Sequence, residues 1–418
     1  MNISLFSDAF PPEIDGVANA VVNYAKYLKN NDNQVNVITP HFPGADDSSY
    51  NYPVIRYRSL DFRDSIGYVA GYPFDPKVAD SLQSFKPDIM HAHCPIASVY
   101  LAGSLKNSFD APLILTYHTK YDIDIANAIN GKLLQDGAIK LLVNNVALCD
   151  EVWVVSDGAG KNLKSLGYKG DYIVMKNGVD IPKGRMPQEE YMTITSASGL
   201  DLPAGTPTFL FVGRLMWYKG IRIILDALAA LQDANIDFRM VFVGQGTDEE
   251  EIKQYAHDKQ LDEKVFFLGA IQDRHELSAW YCRSDLLLFP SSFDTSGLVV
   301  MEAAACSLPA VVIAGSCPAE DIVNNHNGYL INENAASLAA LLAKLCLNYH
   351  SGELKIVGEN AADELYLSWE DAVATANRRY EVVLDNYRRG CYKKPFNPRE
   401  ELFKMSGELM TLFADIKR

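Results

Sequence analysis

A chain of 418 residues is longer than one hydrophobic core normally spans, so two domains are expected. Its hydrophobic content of 48% supports large cores, yet no apolar run approaches the ~20 residues of a membrane span. A formal charge of −15 argues against a general nucleic-acid binder and disfavours strong docking to anionic lipid, while leaving room for a local basic pocket around a diphosphate.

The opening Met1-Asn2-Ile3-Ser4-Leu5-Phe6 lacks the basic start and cleavage site of a signal peptide and reads as a first buried strand, so a cytoplasmic location is expected. Short apolar strands then alternate with helical stretches. Ile3–Phe6, Val35–Thr39, Ile89–His91, Leu113–Thr116, Glu151–Val155 and Tyr172–Val174 look like strands, with helices at Ala18–Asn30, Ala97–Ser108 and Gly158–Leu166. This βαβ rhythm predicts a doubly wound parallel sheet wrapped by helices. The rhythm pauses from about Ile181 to Pro207, a proline-containing, weakly periodic stretch read as the start of an interdomain linker. It resumes with strands at Thr208–Val212, Arg239–Val243, Val265–Leu268, Asp285–Phe289 and Ala310–Ile313. Trp369–Leu384 is a strong helical candidate. In the tail Cys391–Arg418, Leu402, Phe403, Met405, Leu409, Leu412, Phe413 and Ile416 recur near helical spacing, a face expected to pack on the protein itself, with a partner or membrane contact as the alternative. Two such sheets facing each other would place a cleft at the carboxyl ends of their strands. Seven scattered cysteines fit reduced thiols, and the lack of a CxxC pair argues against structural zinc.

The densest chemistry lies between Phe289 and Glu302. The strand ending at Phe289 breaks into a polar turn and restarts as a helix near Leu298, with Asp294 and Glu302 flanking the turn eight positions apart. Free N–H groups at a helix start suit an anion, and carboxylates nearby accept hydrogen bonds from hydroxyls. One loop therefore offers a phosphate cradle and two hydroxyl acceptors, which suits a nucleotide-sugar.

Other strand ends add to this. Asp8 to Gly16 follows the first strand, and Gly16 at the helix start would let backbone approach a ligand closely; an ordinary βα turn is the plainer reading, since no GxGxxG fingerprint is present. Tyr117-His118-Thr119-Lys120 ends a strand, where His118 could donate to a sugar hydroxyl or steady positive charge developing at an anomeric carbon. His91-Ala92-His93-Cys94 has the look of a metal cluster. Its two histidines are expected on opposite faces of the strand, with no carboxylate close by in sequence, so it is read as a strand-end loop. In Gly213-Arg214-Leu215-Met216-Trp217-Tyr218-Lys219-Gly220, Arg214 and Lys219 are two cations at a strand-to-helix junction. They would neutralise a diphosphate and stabilise its departure without a metal, Arg engaging two oxygens at once. Gly244-Gln245-Gly246 looks like another close-approach turn, and Asn177-Gly178-Val179-Asp180 a tight turn near the domain junction.

Taken in order, these motifs resemble family 4 glycosyltransferases, with two Rossmann-like domains in the arrangement called GT-B, over nearly the whole chain to about Leu384. Gly213-Arg214 with Lys219 is similar to the family's diphosphate-binding pair, and Asp294 through Glu302 to its E-x7-E element. Asn177 through Asp180 is similar to its interdomain turn, and Asp15-Gly16-Val17 and Tyr117-His118-Thr119 to its N-domain loop and histidine. The resemblance implies an acceptor-binding domain over residues 1–182, a donor domain over 206–365, a crossover helix over 366–390 packing on the first domain, and a tail over 391–418. It implies that Glu302 holds the ribose and Asp294 the donor sugar. Backbone N–H groups of Ser296, Gly297, Leu298 and Gly16 would meet the diphosphate, with Gly244 lining the donor site. Arg214 and Lys219 would carry the diphosphate charge, and His118 would sit near the reacting centre. It further implies retention of configuration, no metal or other cofactor, and front-face attack in which the leaving phosphate oxygen takes the acceptor's proton.

Within the family, Tyr117 to Tyr121 and Phe293 to Ser296 look most like bacterial enzymes that glucosylate diacylglycerol or related lipids. The donor would then be UDP-glucose and the protein peripheral on the inner face of the membrane. Tyr121–Val146 is expected to supply an acceptor-facing helix, with Lys132 and Lys140 its only cations. A soluble sugar or thiol-precursor acceptor stays open, as do a sugar-nucleotide epimerase or phosphorylase on the same architecture and a nucleotide-sugar sensor without turnover. One departure stands out: the family's first E-x7-E carboxylate is normally Glu. Asp294 ends ~1.5 Å nearer the backbone, one C–C bond length, so either the loop moves in or the sugar contact changes.

Overall fold

The apolar run at the N-terminus forms β1 (Asn2–Phe6), whose residues from Ile3 on are fully buried. A strand covered on both faces reads as continuous apolar sequence, and β1 sits inside a parallel sheet. The computed structural model describes residues 1–13, 15–62, 68–129, 131–392 and 405. The chain divides into two units, Met1–Asn177 with the returning helix Trp369–Arg388, and Gly178–Ser368.

In the first unit β1 pairs on one side with β2 (Gln34–Pro40), which leads to β3 (Val54–Tyr57). An antiparallel ribbon, β4 (Ser59–Phe62) and β5 (Tyr68–Gly71), follows in sequence. On its other side β1 pairs with β6 (Ile89–Ala92), followed by β7 (Leu113–Tyr117), β8 (Glu151–Val154) and β9 (Ile173–Val174). The sheet thus grows outward in one direction and then in the other. The reversal between β1 and β6 is a topological switch point, where such folds bind ligands at the carboxyl ends. The helix Gly16–Asn30 leaves β1's end with Asp15 as its N-cap, whose carboxylate accepts from the Ala18 amide at 2.6 Å. Its buried Val21, Tyr24, Ala25 and Leu28 recur at helical spacing and face the sheet.

The helix Trp369–Arg388 completes this unit. Trp369 and Tyr380 are buried, Tyr380 stacks on Trp153 at 5.3 Å, and Arg379 pairs with Glu151 at 2.6 Å.

The second unit repeats the plan. β10 (Thr208–Val212) starts a parallel sheet, β11 (Arg239–Val243) and β12 (Val265–Phe267) extend it one way, and β13 (Leu286–Phe289), β14 (Ala310–Ile313) and β15 (Tyr329–Ile331) the other. The switch point lies between β10 and β13.

The sequence pattern does not single out β3, β4, β5 or β15; each is only three or four residues long and presents too few alternations to register. The stretch from Ile181 to Pro207 is not a linker but part of the second unit. Ile181 is buried in that unit's core, and the helix Gln188–Ser196 follows. The Arg185 guanidinium donates to the carbonyls of Cys282 and Cys306. Weak periodicity hid this because the segment is fastened mainly by backbone and side-chain hydrogen bonds. The amphipathic tail expected over Cys391–Arg418 falls almost wholly outside the described residues. Among the described residues, no helix is long and apolar enough to cross a membrane.

Candidate functional site

At the second unit's switch point, the loops after β10, β11 and β13 are pressed together backbone to backbone. A Cβ on Gly244 (φ 140°) would lie 1.9 Å from the Gly213 carbonyl oxygen, and one on Gly220 (φ 79°) 2.0 Å from that of Pro290. Only glycine permits this approach. The Leu215 amide donates to the Gln245 carbonyl at 3.0 Å, and the Trp217 amide to Asp248 at 2.9 Å, stapling the Gly213–Gly220 loop in place.

That stapling fixes two cations differently. Arg214 is exposed, and among the described residues its guanidinium has no hydrogen-bond or ion-pair partner. Lys219 is buried and donates to Asp294 Oδ1 at 2.6 Å, with the Tyr218 and Phe293 rings 5.5 and 5.7 Å from its ammonium. The aromatic faces and the carboxylate together stabilise a desolvated ammonium. The other carboxylate oxygen of Asp294, Oδ2, is buried without a partner among the described residues. A buried acceptor left unpaired costs free energy until a donor arrives.

Past Asp294 the turn reaches Gly297, whose φ of 60° and close approach to Pro318 favour glycine. The helix Leu298–Ala305 starts there without a side-chain cap, with Ser296 just before it, so its first amides are not taken by a capping side chain. One turn in, Glu302 is buried and held at both oxygens. Arg274 Nη2 donates to Oε1 at 2.5 Å and the Tyr281 hydroxyl to Oε2 at 2.7 Å. Burial, with the neighbouring Glu302 carboxylate, pushes the Tyr281 phenol well above its usual range, so Tyr281 stays a donor. Each oxygen of Glu302 keeps a lone pair for a further donor.

In the first unit, His118 follows β7 and is buried, with Nε2 3.0 Å from Nδ1 of His93 and the two rings stacked. Burial lowers the His118 pKa to about 3 and those of His91 and His93 well below the usual range, so all three are neutral near pH 7. His118 therefore acts as a neutral hydrogen-bonding ring, not as a cation. The expectation that His91 and His93 point to opposite faces is wrong. Their ring centroids are 4.2 Å apart, because residues i and i+2 of a strand share a face. His91 is engaged by the Tyr380 hydroxyl at 2.6 Å and by Thr116 at 2.8 Å, a packing role. Among the described residues no cluster of three or more His, Cys, Asp or Glu could hold a metal. Gly16 is exposed at its helix start, and among the described residues a Cβ there would meet no atom within 4 Å outside its chain neighbours and its own helix backbone. Asp8, at the end of β1, is buried and accepts from the Ser98 amide at 2.8 Å and its hydroxyl at 3.1 Å; burial raises its pKa to about 7.

Within the second unit the structure thus joins Lys219 to Asp294 and Gly213 to Gly244, whereas Glu302 is partnered by Arg274 and Tyr281. Sequence reading singled out neither of these two, nor Asp8 and His93 as partners, since each contact spans more than 20 positions and leaves no local signal.

Two parallel sheets, each with a switch point at the carboxyl ends of its strands, make the architecture of GT-B glycosyltransferases, and family comparison places the chain among glycosyltransferases. Residues 14–183 match the model for Glycosyltransferase Family 4, and residues 195–364 that for Glycosyl transferases group 1. The chain belongs to the family 4 glycosyltransferases and is an enzyme of that class. It is 23% identical to alpha-monoglucosyldiacylglycerol synthase of Streptococcus pneumoniae over 397 residues, covering 92% of this chain and 89% of that protein. It is 27% identical to a sulfoquinovosyl transferase of Arabidopsis thaliana over 407 residues, covering 93% and 75%. Anabaena HepE, solved in complex with UDP, matches with a TM-score of 0.71 at 19% identity, covering 92% of this chain and 100% of that one. The same protein has also been solved with UDP-glucose.

Proposed function

We propose that this enzyme transfers glucose from UDP-glucose to a hydroxyl of diacylglycerol or a related glycolipid precursor, retaining anomeric configuration and needing no metal. The observation that carries the donor half is Asp294: one oxygen is fixed by Lys219 while the other is buried and, among the described residues, unpaired. A sugar hydroxyl is the donor such an acceptor lacks. The shorter Asp in place of Glu is accommodated by this pairing, which leaves Oδ2 for the sugar. Arg214 and the uncapped start of the helix Leu298–Ala305, with the amides of Ser296, Gly297 and Leu298, suit the diphosphate. Lys219 shares its charge between Asp294 and the phosphates. Gly244 keeps the neighbouring loop close. Glu302, oriented by Arg274 and Tyr281, has lone pairs left for the ribose hydroxyls.

On this reading the C1–O bond to the diphosphate breaks as Arg214 and Lys219 stabilise the charge gathering on the leaving oxygen. The acceptor hydroxyl attacks from the same face and passes its proton to that oxygen, so UDP leaves and a glucoside forms.

The acceptor half rests on the helix Lys132–Val146. Leu133 (86% exposed), Leu134 and Leu141 lie on its outer side beside Lys132 and Lys140, a surface suited to acyl chains and an anionic headgroup layer. A relative named for synthesis of alpha-monoglucosyldiacylglycerol points the same way. The test is incubation with UDP-glucose and diacylglycerol vesicles in the presence of EDTA. Mass spectrometry should find a hexosyl-diacylglycerol and UDP, and NMR an α-linkage. UDP release without a lipid product would overturn transfer to lipid. A product formed only with soluble sugars would move the acceptor to that class.

A further inference from the structure

Asp248 breaks a local rule. It stands just before the helix Glu249–Asp258, where an Asp ordinarily turns its carboxylate back onto the helix's own first amides. Here no such bond is made, and the backbone, at φ −101° and ψ 9°, lies outside the extended region that a capping residue adopts. The carboxylate is turned elsewhere. Its Oδ2 accepts from the Trp217 amide at 2.9 Å and its Oδ1 from the Thr247 hydroxyl at 3.0 Å.

Trp217 is gripped at two further points. Its indole Nε1 donates to Glu251 Oε2 at 3.1 Å. Its ring lies 4.5 Å from the Arg222 guanidinium, which is also 4.6 Å from the Tyr255 ring, and the two aromatic rings meet edge to face. A guanidinium against two ring faces holds such a stack together. Backbone N–H, indole N–H and ring face of Trp217 are thus all engaged. Asp248, Glu251 and Tyr255 belong to one helix and its start.

This grip holds the loop that carries Arg214. Arg214 is exposed, and its side chain has no partner among the described residues, so its backbone sets its place. The Met216 amide donates to the Arg214 carbonyl at 2.9 Å, and the Asp248 amide to the Leu215 carbonyl at 3.3 Å. A cation without a side-chain partner is preorganised only through the chain that bears it. A local preference given up beside such a loop is the mark of a site imposing its own demand.

We infer that Asp248 and Trp217 are positioning residues: through their hydrogen bond they hold the Gly213–Gly220 loop so that Arg214 is presented to the donor's diphosphate. The inference rests on the proposed diphosphate role of Arg214 and involves the second unit alone.

The test is calorimetric titration of the full-length protein with UDP and with UMP, which lacks the outer phosphate. The wild type should bind UDP about thirtyfold more tightly than UMP, and Arg214→Ala should remove most of that preference. Asp248→Ala should cut the preference about fivefold, the size of re-ordering one long side chain, and leave UMP affinity unchanged. Asp248→Asn, whose side-chain oxygen still accepts from the Trp217 amide, should restore it. Trp217→Phe, which keeps a ring but loses the bond to Glu251, should fall between. In the Arg214→Ala background, Asp248→Ala should have no further effect. Folded Asp248→Ala and Trp217→Phe variants that keep the full preference, while Arg214→Ala loses it, overturn the positioning claim. So does an Asp248→Ala effect that persists undiminished without Arg214. A wild type that does not prefer UDP, or an Arg214→Ala variant that still does, instead removes the diphosphate reading, and the positioning claim goes with it.

Discussion

Lys219 and Arg214 are both cations near one loop, yet their surroundings give them different parts. Arg214 is exposed and unpartnered among the described residues, so Arg214→Ala should leave the melting temperature unchanged and lower turnover by about 100-fold through lost leaving-group stabilisation. Lys219 is buried against Asp294. Lys219→Ala should lose turnover and also about 3 kcal/mol of stability, because it strands a partly buried carboxylate. Steady-state kinetics and thermal melts on the two variants check this, and full activity in both would remove the diphosphate assignment. Asp8 adds a stability effect of the opposite kind. Its folded pKa, about 7, lies above the usual 3.8 because burial disfavours the anion. The folded state therefore binds more protons than the unfolded one between about pH 4 and 7. Its contribution is fully present below that window and is lost as pH rises through 7. Asp8→Asn should shrink the drop in melting temperature between pH 5 and pH 8; an identical drop in wild type and variant would contradict it.

Among the elements, the glycine turns divide by what surrounds them. A Cβ on Gly244 would overlap the Gly213 carbonyl at 1.9 Å, and the residue's φ of 140° is itself adverse to a side chain. Gly244→Ala should destabilise the second unit by several kcal/mol, on the order of 3, from the clash and the strained backbone. Gly16 has open space at its missing Cβ. Gly16→Ala should melt like the wild type while raising KM for UDP-glucose, since only a ligand would feel the methyl group. Urea unfolding of both variants with donor titration separates the two cases. Normal donor affinity in Gly16→Ala would remove Gly16 from the donor site. Both glycines look alike as sequence; the neighbour that forbids a side chain at Gly244 comes from a loop 31 positions earlier.

At the scale of the whole molecule, the second unit is one continuous segment with its own core, and the first is not. Trp369 and Tyr380 are fully buried in the first unit, and Tyr380 also satisfies His91. A fragment 178–368 should therefore fold alone, melt cooperatively and be stabilised by UDP. Residues 1–177 alone should be unfolded or loosely packed, lacking two large aromatic side chains worth roughly 3–5 kcal/mol each. Circular dichroism melts of the two fragments test this. A cooperative, native-like melt for 1–177 would show the returning helix to be dispensable.

The amino-acid sequence by itself determined the class of fold. Strands such as β1, β10 and β13 are buried on both faces, so their apolar runs stand out locally, and the turns after them carry Gly, Asp, Lys and Arg at readable spacing. It placed Asp294, Arg214, Lys219 and His118 at strand or helix ends and Glu302 just past the turn, because position within a βα unit is a short-range property. Only the tertiary structure decided who meets whom. It joined Lys219 to Asp294 across 75 positions, left one Asp294 oxygen unpaired, and clamped Glu302 between Arg274 and Tyr281. It also turned His91 and His93 to one side and drew Ile181 and the helix after it into the second unit. These are partner choices between distant segments, set by burial and hydrogen-bond satisfaction once the sheets have formed, and no local pattern of residues records them.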